Sequence, residues 1–142
     1  MSHSMPEPLA FAALHHVSFA VRDLARSIAF YRDVLGAKRL VRPEMRTPGA
    51  WLFLGGVQIH LIASGESANG TGNAPTEIRS THDHIAFLVH DLSAVEKKLA
   101  AHDVEYRINI QGGSGLRQVF FHDPEGRVIE AAEYPPTPPE MV

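Results

Sequence analysis

The 142-residue chain contains no cysteine. That excludes disulfides, thiolate metal ligands and thiol nucleophiles at once, and it is compatible with a reducing compartment. No uninterrupted apolar run approaches the roughly 18–20 residues of a membrane-crossing helix. The opening MSHSMPEP has neither the basic start nor the apolar middle of a secretory signal. Charge of one sign is scarce too: 13 Lys and Arg are interspersed with 16 Asp and Glu, for a net charge of −3. A nucleic-acid partner, which needs a concentrated basic face, is not expected, nor is a membrane. The expectation is a soluble cytoplasmic protein acting on a small molecule, with chemistry drawn from His, Asp, Glu, Arg, Tyr or a bound cofactor.

What the chain does have is an internal repeat. HVSFAVRDL from His16 aligns with HIAFLVHDL from His84, with five of nine positions identical and an offset of 68 residues. GVQIHL from Gly56 aligns with GRVIEA from Gly126 at an offset of 70, which sets His60 against Glu130. Two copies are too few for a solenoid, so a paired, pseudo-twofold domain is the better reading.

Residues 1–8 carry two prolines and are set aside as a tail or cloning remnant. Leu9–Leu14 is a short apolar segment, read as an edge strand or an arm on a partner subunit. From His16 the pattern alternates with the period of a strand. A helix follows, with Asp23 as N-cap, apolar positions at Leu24, Ile28, Tyr31 and Leu35, and Gly36 placed to end it in the left-handed region. Ala37–Val41 reads as a strand, and the proline-interrupted Arg42–Gly49 as a loop. Trp51–Leu54 and Val57–Ile62 then form a hairpin across Gly55-Gly56. The Gly- and Ser-rich stretch to Thr81 reads as a linker.

The second copy repeats the order. It has a strand at Asp83–Val89, a helix from about Asp91 to Ala101 with Ser93 and Glu96 at capping-box spacing, and strands at Val104–Ile110, Arg117–Phe121 and Arg127–Ala132. The Gly-rich QGGSGL between strands reads as a turn, not a phosphate cradle. Residues 134–142 are a proline-rich tail. The expected architecture is α+β, with modules over 14–64 and 82–133, each βαβββ, in a single domain over 9–133.

Strand parity then selects residues. His16 and His84 lie opposite the apolar faces of their strands, as do His60 and Glu130. If each helix covers the more apolar face, these four share the other, concave face, and a pseudo-twofold relation would bring the two pairs together. A lone strand histidine is more often a surface or hydrogen-bonded residue than a ligand. A glutamate in an apolar strand, however, is costly to bury unpartnered and needs a reason. Three imidazoles and a carboxylate suit one divalent transition ion such as Zn, Ni, Fe or Mn, and are too nitrogen-rich for Mg or Ca. Arg42 and Arg46 are candidates to meet an anionic group of the substrate.

HHVSFAVRDLARSIAFYRDVLG, GAWLF, IHLI, DHIAFLV and VFFHDPEGRVIEAAE resemble the vicinal oxygen chelate superfamily. That superfamily includes glyoxalase I, methylmalonyl-CoA epimerase, extradiol dioxygenases, fosfomycin-resistance thiol transferases and bleomycin-binding proteins. The nearest likeness is to short glyoxalase-I-like proteins of the lactoylglutathione lyase type. The resemblance implies a concave, partly open barrel, a homodimer, and His16, His60, His84 and Glu130 on the family's metal positions. It also implies a glyoxalase-type lyase or isomerase in which Glu130 moves the proton. Its alternatives are an extradiol-type dioxygenase, a thiol transferase or a ligand-binding resistance protein. The chain departs from bacterial glyoxalase I at His60, where that enzyme carries glutamate.

Overall fold

The structure is a computed structural model and describes residues 4–64, 77–135 and 140–141. Module one runs β1 (His16–Val21), α1 (Leu24–Ala29), β2 (Lys38–Leu40), β3 (Gly49–Leu54) and β4 (Val57–Ala63). Module two runs β5 (His84–Leu88), α2 (Leu92–Ala101), β6 (Tyr106–Ile110), β7 (Arg117–His122) and β8 (Val128–Ala132). Each forms its own four-stranded sheet, ordered β1-β4-β3-β2 and β5-β8-β7-β6. The fold is therefore α+β with two βαβββ repeats, and its sheets stay open instead of closing into a barrel. Most of the expected linker lies outside the described residues.

Local chemistry explains the elements. Asp23 and Asp91 cap α1 and α2 by accepting from the backbone N–H of Arg26 and Ala94, each at 3.0 Å. Because Asp91 already fills the N-cap, the expected Ser93–Glu96 box does not form, and Glu96 instead pairs with Arg117 at 2.9 Å. Gly55 and Gly56 both take positive φ, +60° and +80°, which a two-residue hairpin turn with the native strand twist requires. The first helix departs from the expected regular helix ending at Gly36: over Phe30–Val34 it widens into a π turn, with Leu35 N–H bonded to Phe30 O at 3.3 Å. A tertiary contact accompanies the irregularity, since Tyr31 sits there with no exposed surface and donates to Asp123. The Leu9–Leu14 segment forms no strand, and Leu9, Phe11 and Leu14 are 79%, 83% and 73% exposed.

In both sheets one face is apolar, and these two faces meet in a common core. Val21, Ile59, Leu61 and Tyr31 from module one cluster with Leu92, Leu99, Phe121 and Ile129 from module two. Phe30 meets Phe121 across the boundary at 6.4 Å between centroids, and Phe87 packs against the Gly55 backbone. Each sheet thereby turns its other face away from the shared core.

A polar clamp fixes this arrangement. The turn Asp123–Arg127 of module two reads the junction of β1 and α1 in module one. Glu125 accepts from the N–H groups of Arg22 and Asp23 at 2.8 and 3.4 Å, stabilised by the positive end of the helix. Tyr31 donates its hydroxyl to Asp123 Oδ2 at 2.8 Å. Arg127 lies 4.5 Å over the Phe19 ring and donates to the Ala20 carbonyl. Burial first, and then the Asp123 carboxylate, push the Tyr31 phenol well above its ordinary 10.0. A group whose pKa is raised on folding contributes stability that is complete below its unfolded value and fades as pH rises past it. The protein should therefore lose stability above about pH 10, and Tyr31→Phe should flatten that dependence. Thermal unfolding of both proteins between pH 8 and pH 11 checks this; parallel curves would contradict it.

Candidate metal centre

The outward faces carry the residues selected by parity, as two pairs. On sheet one, the His16 and His60 rings stack at 3.9 Å between centroids with planes 15° apart. Trp51, in register with His60 across the hairpin, covers the other face of that ring at 4.3 Å and 7°. His60 Nε2 lies 3.0 Å from Gln58 Oε1. Burial, and then the neighbouring His16, His15 and Arg42 charges, hold the His60 pKa below 6.5. That keeps the ring neutral at pH 7. His15 Nδ1 lies 2.8 Å from His16 Nδ1, which leaves His16 Nε2 as its outward nitrogen.

Sheet two carries the second pair. His84 Nε2 approaches Glu130 Oε1 at 3.2 Å, with Phe120 edge-on to the imidazole at 5.6 Å. His84 Nδ1 lies 2.7 Å from the His82 carbonyl, an acceptor, so Nδ1 carries the hydrogen and Nε2 presents a lone pair. Glu130 is 2% exposed, and among the described residues its Oε2 has no hydrogen-bond partner. An orphaned oxygen on a buried carboxylate costs on the order of 1–3 kcal/mol or more unless something binds it. A lone-pair nitrogen beside a buried carboxylate whose other oxygen is unsatisfied is the donor chemistry of half a transition-metal site.

The two pairs do not meet within one chain. Among the described residues no three His, Asp or Glu side chains converge on a point that would hold an ion. The physical reason is the shared core: both sheets bury their apolar faces against each other, so the pairs face away from it. An open cleft of about 810 Å³ between β1 and the start of β5 has only His84 of the four on its wall.

The structure separates the two candidate arginines. Arg42 is partly buried and donates to Thr47 O at 2.8 Å, its guanidinium packs where a Cβ on Gly49 would stand, and it lies among the charges acting on His60. Arg46 is exposed further along the loop. Trp51, Gln58, Phe120 and Gln118, which the alternation of the strands did not single out, also lie on the outward faces. Gln118 is 7% exposed and accepts from Asn109 at 2.7 Å. The Gln111–Leu116 segment is a hairpin turn closed by Gln111 N–H to Leu116 O at 2.8 Å.

A domain of two βαβββ modules defines a fold class, and comparison with known proteins agrees with it. Residues 13–131 match the Glyoxalase/Bleomycin resistance protein/Dioxygenase superfamily. The chain belongs to that superfamily, whose vicinal oxygen chelate members include enzymes that use a divalent metal. It is 37% identical over 133 residues to Glyoxylase I 4 of Arabidopsis thaliana, covering 92% of this chain and 75% of that one. It is 31% identical over 123 residues to the metallothiol transferase FosB of Staphylococcus epidermidis, covering 82% and 80%. The fold matches a fosfomycin resistance protein, FosX, from Listeria monocytogenes with a TM-score of 0.71 at 18% identity, covering 89% and 94%.

Proposed function

We propose that this protein is a metal-dependent enzyme of glyoxalase type, acting as lyase or isomerase on a small substrate with adjacent oxygens, such as a thiol hemithioacetal. Its site is completed between two copies of the chain. The observation that carries this reading is the second-module pair: His84 held in the tautomer that frees Nε2, beside a buried Glu130 with an unsatisfied oxygen. The first module supplies the outward pair of His16 and His60. Since one chain turns the pairs apart, a homodimer that sets module one of one copy against module two of the other joins them. The exposed arm around Leu9, Phe11 and Leu14 offers apolar surface for that contact.

A divalent transition ion held there supplies Lewis acidity toward the paired oxygens of a substrate. The chain supplies the rest. Glu130 is the site's anionic base and is placed to take and return a proton at the substrate carbon through Oε2. Phe120 and Trp51 wall the site and keep water from it, and Arg42 offers a positive charge to an anionic substrate.

A second reading, thiol transfer to an epoxide as in fosfomycin resistance, is favoured by the FosB relative and by the positive surroundings of His60. Protein purified without added metal is expected to carry one divalent ion per site by elemental analysis, and to lose turnover on chelation and regain it on reconstitution. A screen of hemithioacetals against thiol-plus-epoxide pairs separates the two readings. Full activity in exhaustively chelated protein contradicts both.

A further inference from the structure

We propose that His60, although it stands at a repeat-related ligand position, is a positioning residue that orients the His16 imidazole and does not itself bind the ion. The inference rests on the shared metal site proposed above and narrows its ligand set to His16, His84 and Glu130. An imidazole nitrogen binds through a lone pair lying in the plane of its ring, so an ion held by two imidazoles lies where their planes cross. The His16 and His60 planes are 15° apart and stacked at 3.9 Å. Planes so nearly parallel cross many ångströms away, far beyond a coordination bond of about 2 Å. Only one of the two rings can serve one ion in this arrangement.

The surroundings decide which. His60 is covered on one face by His16 and on the other by Trp51 at 4.3 Å and 7°. Its Nε2 is engaged by Gln58 at 3.0 Å, and the residue is 6% exposed. Ligation through His60 Nε2 would require breaking the Gln58 contact and opening a path for an ion to a buried ring edge. His16, on the edge strand β1, is exposed, stacked on one face only, and has Nε2 free because its Nδ1 faces His15. The three-ring stack of Trp51, His60 and His16 therefore acts as a rigid backing for a single ligand. The contrast with module two is direct: His84 Nε2 and Glu130 Oε1 already stand 3.2 Å apart, the separation of two donors on one ion. Module one then gives one ligand and module two gives two, a set that would leave further positions on the ion for substrate.

The test is metal binding, read independently of turnover. X-ray absorption of the zinc-loaded wild-type protein should count two imidazoles per ion. His60→Phe keeps a flat ring in the stack but has no nitrogen, and should hold zinc within about 3-fold of wild type. His60→Ala, which removes the backing, should weaken zinc by roughly 10–100-fold, as loss of an orienting partner does. Three imidazoles in the wild type, or equal loss in both variants, overturns the inference while leaving the shared site intact. His84→Ala is the control for the parent reading: if the wild type takes up no zinc, or His84→Ala binds as well as wild type, the shared site itself is wrong.

Discussion

Glu130→Gln is expected to lower turnover by roughly 10²–10⁴-fold, the range for loss of a general acid–base group, in protein whose metal content is matched to wild type. The substitution keeps size and one carbonyl oxygen able to meet an ion beside His84 Nε2, so the site geometry survives while the anionic base is removed. Folding stability should move the other way. In metal-free protein the buried Oε2 has no partner among the described residues, and removing its charge relieves a desolvation cost, so the melting temperature should hold or rise. That opposite movement is the signature of a residue kept for chemistry. Fall of both turnover and metal-free melting temperature by more than a few degrees would make Glu130 a structural residue instead.

The largest stability effect is expected from Asp123→Ala. The carboxylate is fully buried and accepts from the Tyr31 hydroxyl at 2.8 Å and from the N–H groups of Glu125 and Arg127, both at 2.9 Å. Its Oδ2 also lies 3.6 Å from the largely buried Arg127 guanidinium. Alanine strands three donors and leaves that cation without its counter-charge, and breaking one partner of a buried pair costs about 3–5 kcal/mol. Asp123→Asn, which retains shape and one acceptor, should cost less. Urea unfolding of the three proteins gives the comparison. A loss below about 1 kcal/mol for alanine would show that the clamp does not hold the modules together.

Much of this fold can be read from the chain. Asp23 and Asp91 announce their helices, Gly36 ends the first with φ +78°, and Gly55-Gly56 sets a hairpin whose register follows from the turn. Trp51 was legible by the same rule, because residues equidistant from a two-residue turn pair across it, and that places it opposite His60. Parity alone set His16, His60, His84 and Glu130 opposite the apolar faces of their strands. The Phe120 contact was harder to read, since β7 and β8 are joined by the longer Asp123–Arg127 turn, whose register is not fixed by its length. The separation of the two pairs was not legible at all. It depends on contacts between residues about a hundred positions apart, such as Glu125 with the Arg22 N–H and Arg127 with Phe19, which no local pattern encodes. The π turn at Phe30–Val34 is of the same kind, because it coincides with the tertiary demand that brings Tyr31 to Asp123.

The central claim, that the site belongs to two copies jointly, is tested most directly by mixing. His16→Ala disables the first-module ligand and Glu130→Ala the second-module ligand, so neither homodimer should hold a tightly bound ion. After the two are unfolded together and refolded, half of the dimers are mixed, and each mixed dimer has one site with both lesions and one with none. About a quarter of wild-type zinc binding should return, as statistical pairing in a twofold dimer requires. No recovery in a mixture shown by sedimentation to be dimeric would contradict the account and return the four residues to a site within one chain, or to none.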